Sequence, residues 1–236
     1  MEQPSKLIFL AAAALVSAAM LVPTSGVAAQ DWTSVSNNGQ RQIVGSGRVV
    51  RQNRAVAPFQ RIETLGSAIV QVRVGPARSV TIAADDNILP LLTSEVRGGT
   101  LTLSSRGSYR MRGPIRVWIS TPNLDGVRSA GSGDTSISGI NAARLALTIQ
   151  GPGAIRAEGR TGRLDLAIQG SGNADLSRLA ARDARAALYG SGSAVVRAAG
   201  NLDARVIGSG DLRYVGTPTT LSRHRVGSGS IRAAGR

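Results

Sequence analysis

The sequence predicts an all-β fold, a parallel β-solenoid with coils of about 19 residues. Two observations carry this, a glycine phrase at fixed period and strict hydrophobic alternation on both of its flanks. The phrase occupies Gly131 and Gly133, Gly151 and Gly153, Gly170 and Gly172, then Gly190 and Gly192, Gly208 and Gly210, Gly227 and Gly229, beginning 20, 19, 20, 18 and 19 residues apart. Such a period is the mark of stacked repeats. With 29 glycines in 236 residues, however, a few Gly-x-Gly triplets arise from composition alone, and the flanks decide.

Six, four and two residues before the first glycine stand Leu145, Leu147 and Ile149, then Leu164, Leu166 and Ile168, with Ala184, Ala186, Leu188 and Leu202, Ala204, Val206 in the next two units. Two and four residues after the second glycine stand Ile155 and Ala157, Ala174 and Leu176, Ala194 and Val196, Leu212 and Tyr214. This is period-2 alternation, a strand buried on one face. Each unit reads strand, glycine corner, strand, turn. The few small aliphatics of one unit cannot offset the entropy of ordering its backbone, so the coils must stack and share an interior. Alanine at inward positions makes that interior narrow.

From the start, Lys6 precedes an apolar run from Leu7 to Val22, followed by Pro23 and the small-residue site Val27-Ala28-Ala29. Residues 1–29 therefore read as a cleaved secretory signal, too short in its apolar run for a spanning helix, and no spanning segment is expected in the mature chain. There is no cysteine, hence no disulfide, thiol chemistry or lipid-attachment cysteine after the signal. Without Glu2 and Lys6 the remainder carries 27 arginines against 13 acids, still +14. Such a balance suits an anionic partner. The arginines are scattered and not clustered as a nucleic-acid patch requires, so nucleic acid is not expected.

Residues 30–44 are polar and read as a flexible lead-in. Gly45-Ser46-Gly47 and Leu65-Gly66-Ser67 look like two earlier copies of the corner. Residues 69–74, 80–82, 101–103 and 115–119 alternate as short strands, and Gly98-Gly99 suits a hairpin. Asp85-Asp86-Asn87, running into Leu89-Pro90, suits a short helical turn capped by Asp85 or Asp86. Residues 45–120 thus form an irregular section continuous with the regular array of 121–236. In the last unit Arg223 and Arg225 take inward positions, which blunts a terminal strand edge and marks a cap.

The chain from Gly45 onward resembles the bacterial head GIN domain family of auto-transporter adhesin heads. The likeness rests on Gly45-Ser46-Gly47-Arg48-Val49-Val50, on Phe59-Gln60-Arg61-Ile62-Glu63 before Gly66-Ser67, on Ala84-Asp85-Asp86-Asn87 with Leu89-Pro90, on Gly99-Thr100-Leu101-Thr102-Leu103, and on the repeated corners. It implies an exported right-handed β-helix at the cell envelope, without an established activity or catalytic residues. No membrane-spanning barrel follows Arg236, so self-secretion is not expected.

Few residues offer catalysis. His224 is the single histidine and lies between two arginines, with no acid beside it for a triad. A closed metal site wants three or four His or Cys ligands. Asp85-Asp86-Asn87 is the only dense oxygen group, and reads as a polar turn before it reads as a calcium site. The triplets lack the third glycine of a dinucleotide fingerprint, so no cofactor is expected. A glycosidase needs two carboxylates roughly 5–10 Å apart. Asp134 and Asp211 share a register but lie four coils apart, roughly 19 Å at about 4.8 Å per coil, and Asp165 and Asp203 are two coils apart.

The surface remains. Arg144 and Arg163 stack on successive coils, as do Arg213 and Arg232, and like charges at strand spacing repel unless an anion holds them. These four are the candidate contacts for an acidic envelope polysaccharide or lipopolysaccharide. Open end coils also expose unpaired backbone and favour self-association. The expectation is an exported, non-enzymatic envelope module in the periplasm, on the outer-membrane surface or outside the cell, serving adhesion or as a scaffold. The alternative is a carbohydrate-active enzyme, a polysaccharide lyase or glycosidase, on the same fold.

Overall fold

The computed structural model describes residues 33–35 and 41–234. The expected signal at 1–29 lies outside them. No helix of the described residues is long and apolar enough to cross a membrane.

The first strands are β1 (Thr33–Val35), β2 (Arg41–Val44), β3 (Val49–Asn53), β4 (Arg61–Leu65), β5 (Ile69–Val74) and β6 (Ser79–Asp85). A 3-10 turn at Leu89–Leu91 leads to β7 (Leu92–Arg97), β8 (Thr100–Ser105), β9 (Tyr109–Arg110), β10 (Arg116–Thr121) and β11 (Gly126–Ala130). Three long bent strands follow, β12 (Asp134–Gln150), β13 (Ala154–Gly170) and β14 (Asn173–Gly190). The chain then continues through β15 (Ser193–Ala198), β16 (Asn201–Gly208), β17 (Asp211–Val215), β18 (Thr220–Val226) and β19 (Ser230–Ala233).

The expected stack is present, a parallel β-solenoid of about five turns. Strands before the glycine corner form one face, in the order β4, β11, the second halves of β12, β13 and β14, then β16 and β18. Strands after it form the other, β5, the first halves of β12 to β14, then β15, β17 and β19. Register follows the alternation: Leu145 pairs with Leu164, Leu164 with Ala184 and Ala184 with Leu202. Every inward aliphatic of the pre-corner positions named above is at most 5% exposed. The narrow interior follows from Ala174, Ala184, Ala186, Ala194 and Ala204, which let the two faces approach closely.

The corners line up along one edge. Gly153 donates to the carbonyl of Gly131 (3.0 Å), Gly192 to Gly170 (3.1 Å) and Gly229 to Gly208 (3.0 Å), so each bend bonds to the one beneath. Gly208 shows why the residue is required. Its φ is +122°, closed to most side chains, and a Cβ there would lie 2.5 Å from the carbonyl oxygen of Gly190.

Within residues 45–121, β3 to β8 and β10 belong to the same stack but enter it out of chain order, while β9 pairs with β2 in a small separate sheet. β4 pairs on one side with β8 and on the other with β11, while β5 lies between β10 and β12. The coil around Gly66 is thus wedged between strands that come 26 or more residues later in the chain. Beyond it the sheets end in antiparallel strands, β7 on β8 and β6 then β3 on β10. Gly98-Gly99 makes the two-residue hairpin between β7 and β8, both glycines at positive φ.

Three local expectations are corrected. Gly45-Ser46-Gly47 does not stack on the corner edge; Gly45 donates to the carbonyl of Arg110 (2.8 Å) and lies against Asp85. The helical turn is not capped by Asp85 or Asp86, because Ile88 is its N-cap and no side chain caps it. Part of the expected lead-in is strand, since β2 pairs with both β1 and β9, and Ile43 packs on the core. The alternation of β2 was too short to stand out from its polar surroundings.

Candidate functional site

The outer face of the post-corner sheet carries the densest chemistry. Because strand side chains alternate, Val117 and Ile119 of β10 are buried and Trp118 between them points outward. Register then lays one row across five strands: Trp118, Gln71, Ser136, Arg156 and Asp175. A second row beside it holds Ser120, Arg73 and Ser138. The register shifts after Ile137 and Arg156, at bulges where the strands bend toward the other face, and there Glu158, Ser177 and Arg178 raise one side. The result is an open groove with a volume of about 840 Å³.

Its charges are not evenly balanced. Glu158 is paired in register with Arg178, and Asp175 with Arg156. Asp175 accepts from the Ser177 hydroxyl (2.7 Å) and backbone amide (3.2 Å). Those bonds, hydroxyl first, with the Arg156 and Arg178 charges behind them, hold its carboxyl below the usual range. Arg73, in contrast, has serines beside it in register, Ser120 on one side and Ser138 on the other. From the far side of β10, Arg51 reaches over the Trp118 ring, 4.9 Å from its centroid.

Glu158 and Asp175 are a carboxylate pair that the sequence reading missed. Strand spacing puts their Cα atoms roughly 8 Å apart, within the range of a two-carboxylate hydrolysis. The electrostatics do not suit it. A general acid needs burial that raises its pKa; Glu158 is exposed and Asp175 is shifted the opposite way. Asp134 and Asp211 lie four strands apart in register, as expected, and Arg185 stands between Asp165 and Asp203, bridging to the latter at 3.5 Å. His224 is exposed on β18, paired with Arg205.

The four candidate arginines do not meet on one surface. Arg144 and Arg163 are neighbours on the pre-corner sheet, and Arg213 and Arg232 on the post-corner sheet. Intramolecular acids take up half of them, Arg163 bridging to Asp165 (3.3 Å) and Arg232 to Asp211 (3.6 Å). Arg144 lines a second depression of about 660 Å³ beside Asn141 and Asp125. On the last described coil Arg223 and Arg225 occupy the register of Ala204 and Val206 and are exposed.

Asp85-Asp86-Asn87 forms a clamp. Asn87 accepts from the Ser46 amide (2.9 Å) and donates to the Val44 carbonyl (2.8 Å), while Asp86 accepts from the Ser46 hydroxyl and bridges to Arg48 at 2.9 Å. The Asp86 and Asn87 side chains are thus turned onto the 44–48 segment, while Asp85 Oδ2 accepts from the Arg112 amide (3.4 Å), and among the described residues no group of three or more His, Cys, Asp or Glu could hold a metal.

The groove was missed because its strands come from three distant parts of the chain. The available signal was Trp118, a tryptophan at the outward step of an alternating strand, in a chain only 3% aromatic.

A solved structure of a putative adhesin from Bacteroides fragilis is 23% identical, with a TM-score of 0.69, covering 81% of this chain and 100% of its own. A putative lipid binding protein from Parabacteroides distasonis is 22% identical, with a TM-score of 0.57, covering 82% of this chain and 100% of its own. A putative adhesin from Parabacteroides merdae is 15% identical, with a TM-score of 0.56, covering 82% and 99%. These likenesses show the fold. No curated protein matches the chain. Residues 58–218 match the family model described as putative auto-transporter adhesin, head GIN domain, and the chain belongs to that family.

Proposed function

We propose that this protein is an exported, non-enzymatic binding module of the cell envelope, of the adhesin type, and that it engages its partner through the outer groove on the post-corner sheet. The observation that carries the reading is the groove's composition. It joins an outward tryptophan, small hydroxyl and amide side chains and arginines on a rigid stack, while its two acids lack the burial that catalysis would need. Membership of an adhesin-head family supports it, as do the solved neighbours named as adhesins or as a lipid binding protein. The signal pattern at 1–29 supports export.

The test is retention of the protein on outer-membrane and cell-wall preparations, with and without Trp118→Ala, alongside an assay for new reducing ends or unsaturated products from acidic polysaccharides. Retention that weakens in the variant, with no product formed, is expected. Steady product release would replace this reading with the enzyme.

A further inference from the structure

We propose that the Trp118 end of the groove is a subsite for one acidic residue of an oligosaccharide, its ring against the indole and its anionic group on Arg73. This rests on the binding-module reading and names the ligand class for the same groove. Three observations meet here. Trp118 is the only tryptophan among the described residues and projects from the outer face of the sheet. Arg51 lies over one face of the indole, 4.9 Å from its centroid; the opposite face, electron-rich in the same way, is the one to receive the polarised C–H face of a sugar ring. Arg73 stands on the adjacent strand β5, two residues past Gln71, which pairs with Trp118.

Strand spacing and rise place the Cα atoms of Trp118 and Arg73 roughly 8 Å apart. That is the breadth of a pyranose ring bearing a carboxylate at its edge. Arg73 is also the arginine of the groove with no acid set against it, since Glu158 faces Arg178 and Asp175 faces Arg156 in register. Its fork of donors suits a carboxylate. Gln71 and Ser136 carry amide and hydroxyl groups along the same row, where the hydroxyls of neighbouring sugars would lie. The row spans four strand intervals from Trp118 to Asp175, roughly 19 Å, room for an oligosaccharide of several residues. The compensated far end fits its neutral part.

The experiment follows Trp118 fluorescence in the full chain carrying Trp32→Phe, so that one indole reports. Tetragalacturonate and a hyaluronan tetrasaccharide are titrated against a neutral galactotetraose and against citrate as a plain anion. The acidic tetramers are expected to change the emission where galactotetraose and citrate do not. Arg73→Gln should weaken them about ten- to hundredfold, the range of a charge-assisted contact; Arg73→Lys should keep part of the binding and Arg144→Ala all of it. Equal response to the neutral tetramer, an equal response to citrate, an unchanged Arg73→Gln, or no response to either acidic tetramer overturns the proposal. If envelope retention persists in those cases, the binding-module reading survives without it; if retention is absent as well, both fall.

Discussion

Residues 126–234 and the strands of residues 49–105 and 116–121 build one stack by different means. In the later part each coil after the first lies on the coil just made, and strand order in space equals strand order in sequence. In the earlier part the coil around Gly66 is inserted between β8 and β11 on one face and between β10 and β12 on the other, and antiparallel strands close the end. Repetition confers a local rule, so a period can be read residue by residue. Insertion confers a shared surface, which is how Trp118, Arg73 and Arg156 come together from separate segments.

The sharpest way to probe this contrast is through the glycines. Gly208→Ala in the array forces a side chain into positive φ and against the Gly190 carbonyl. Left-handed strain of ~1–3 kcal/mol and overpacking of a similar size predict a loss of roughly 2–6 kcal/mol in urea unfolding. Gly113→Ala in the earlier section meets nothing within 4 Å and has no positive φ, so it should stay within about 0.5 kcal/mol of the parent. Similar losses at both sites would mean the corner edge carries no special constraint.

A smaller effect is expected at the clamp. Asn87→Ala removes the bonds to Ser46 and Val44, at about 0.5–1.5 kcal/mol each. Limited proteolysis should then cut first within residues 41–48 and leave the array intact; cleavage elsewhere first would show that the clamp does not hold this segment.

The smallest effect concerns pH. Hydroxyl donors lead in lowering the carboxyls of Asp175, Asp86 and Asp211, from Ser177, Ser46 and Ser230 respectively, and the backbone amide of Asn201 leads for Asp183. Because the folded values lie below the unfolded one of about 3.9, their contribution is complete above that value. It is lost as pH falls through the folded values. Thermal midpoints followed by circular dichroism should stay level from pH 8 to 5 and drop only below about 4. A fall between pH 7 and 5 would contradict the assignment.

The array was legible because Leu145, Leu147 and Ile149 and their successors repeat one pattern, and each inward position from Leu145 to Leu212 is buried. The corner at Gly66 was legible for the same reason. Gly45-Ser46-Gly47 misled because a three-residue phrase does not reveal its neighbours, which here are Asp85 and Asn87 across about forty residues. Arg144 pairs in register with Arg163 and Arg213 with Arg232, but acids the period does not reveal lie beside them: Asp165, two residues along from Arg163, and Asp211, on the strand next to Arg232. Periodicity weighed each position against its copies and did not weigh the side chain beside it.

The wedged coil also governs when this molecule can assemble. A chain made from its N-terminus exposes residues 61–74 before either of their neighbours exists, since one flank waits for residues 100–121 and the other for residues 126–138. Such long-range pairing is slow because loops must close before contacts reward them. The early segment is therefore a keystone set late, seated only after strands made later have arrived on both sides of it. The C-terminal repeats, whose partners are always next in line, are free to stack first.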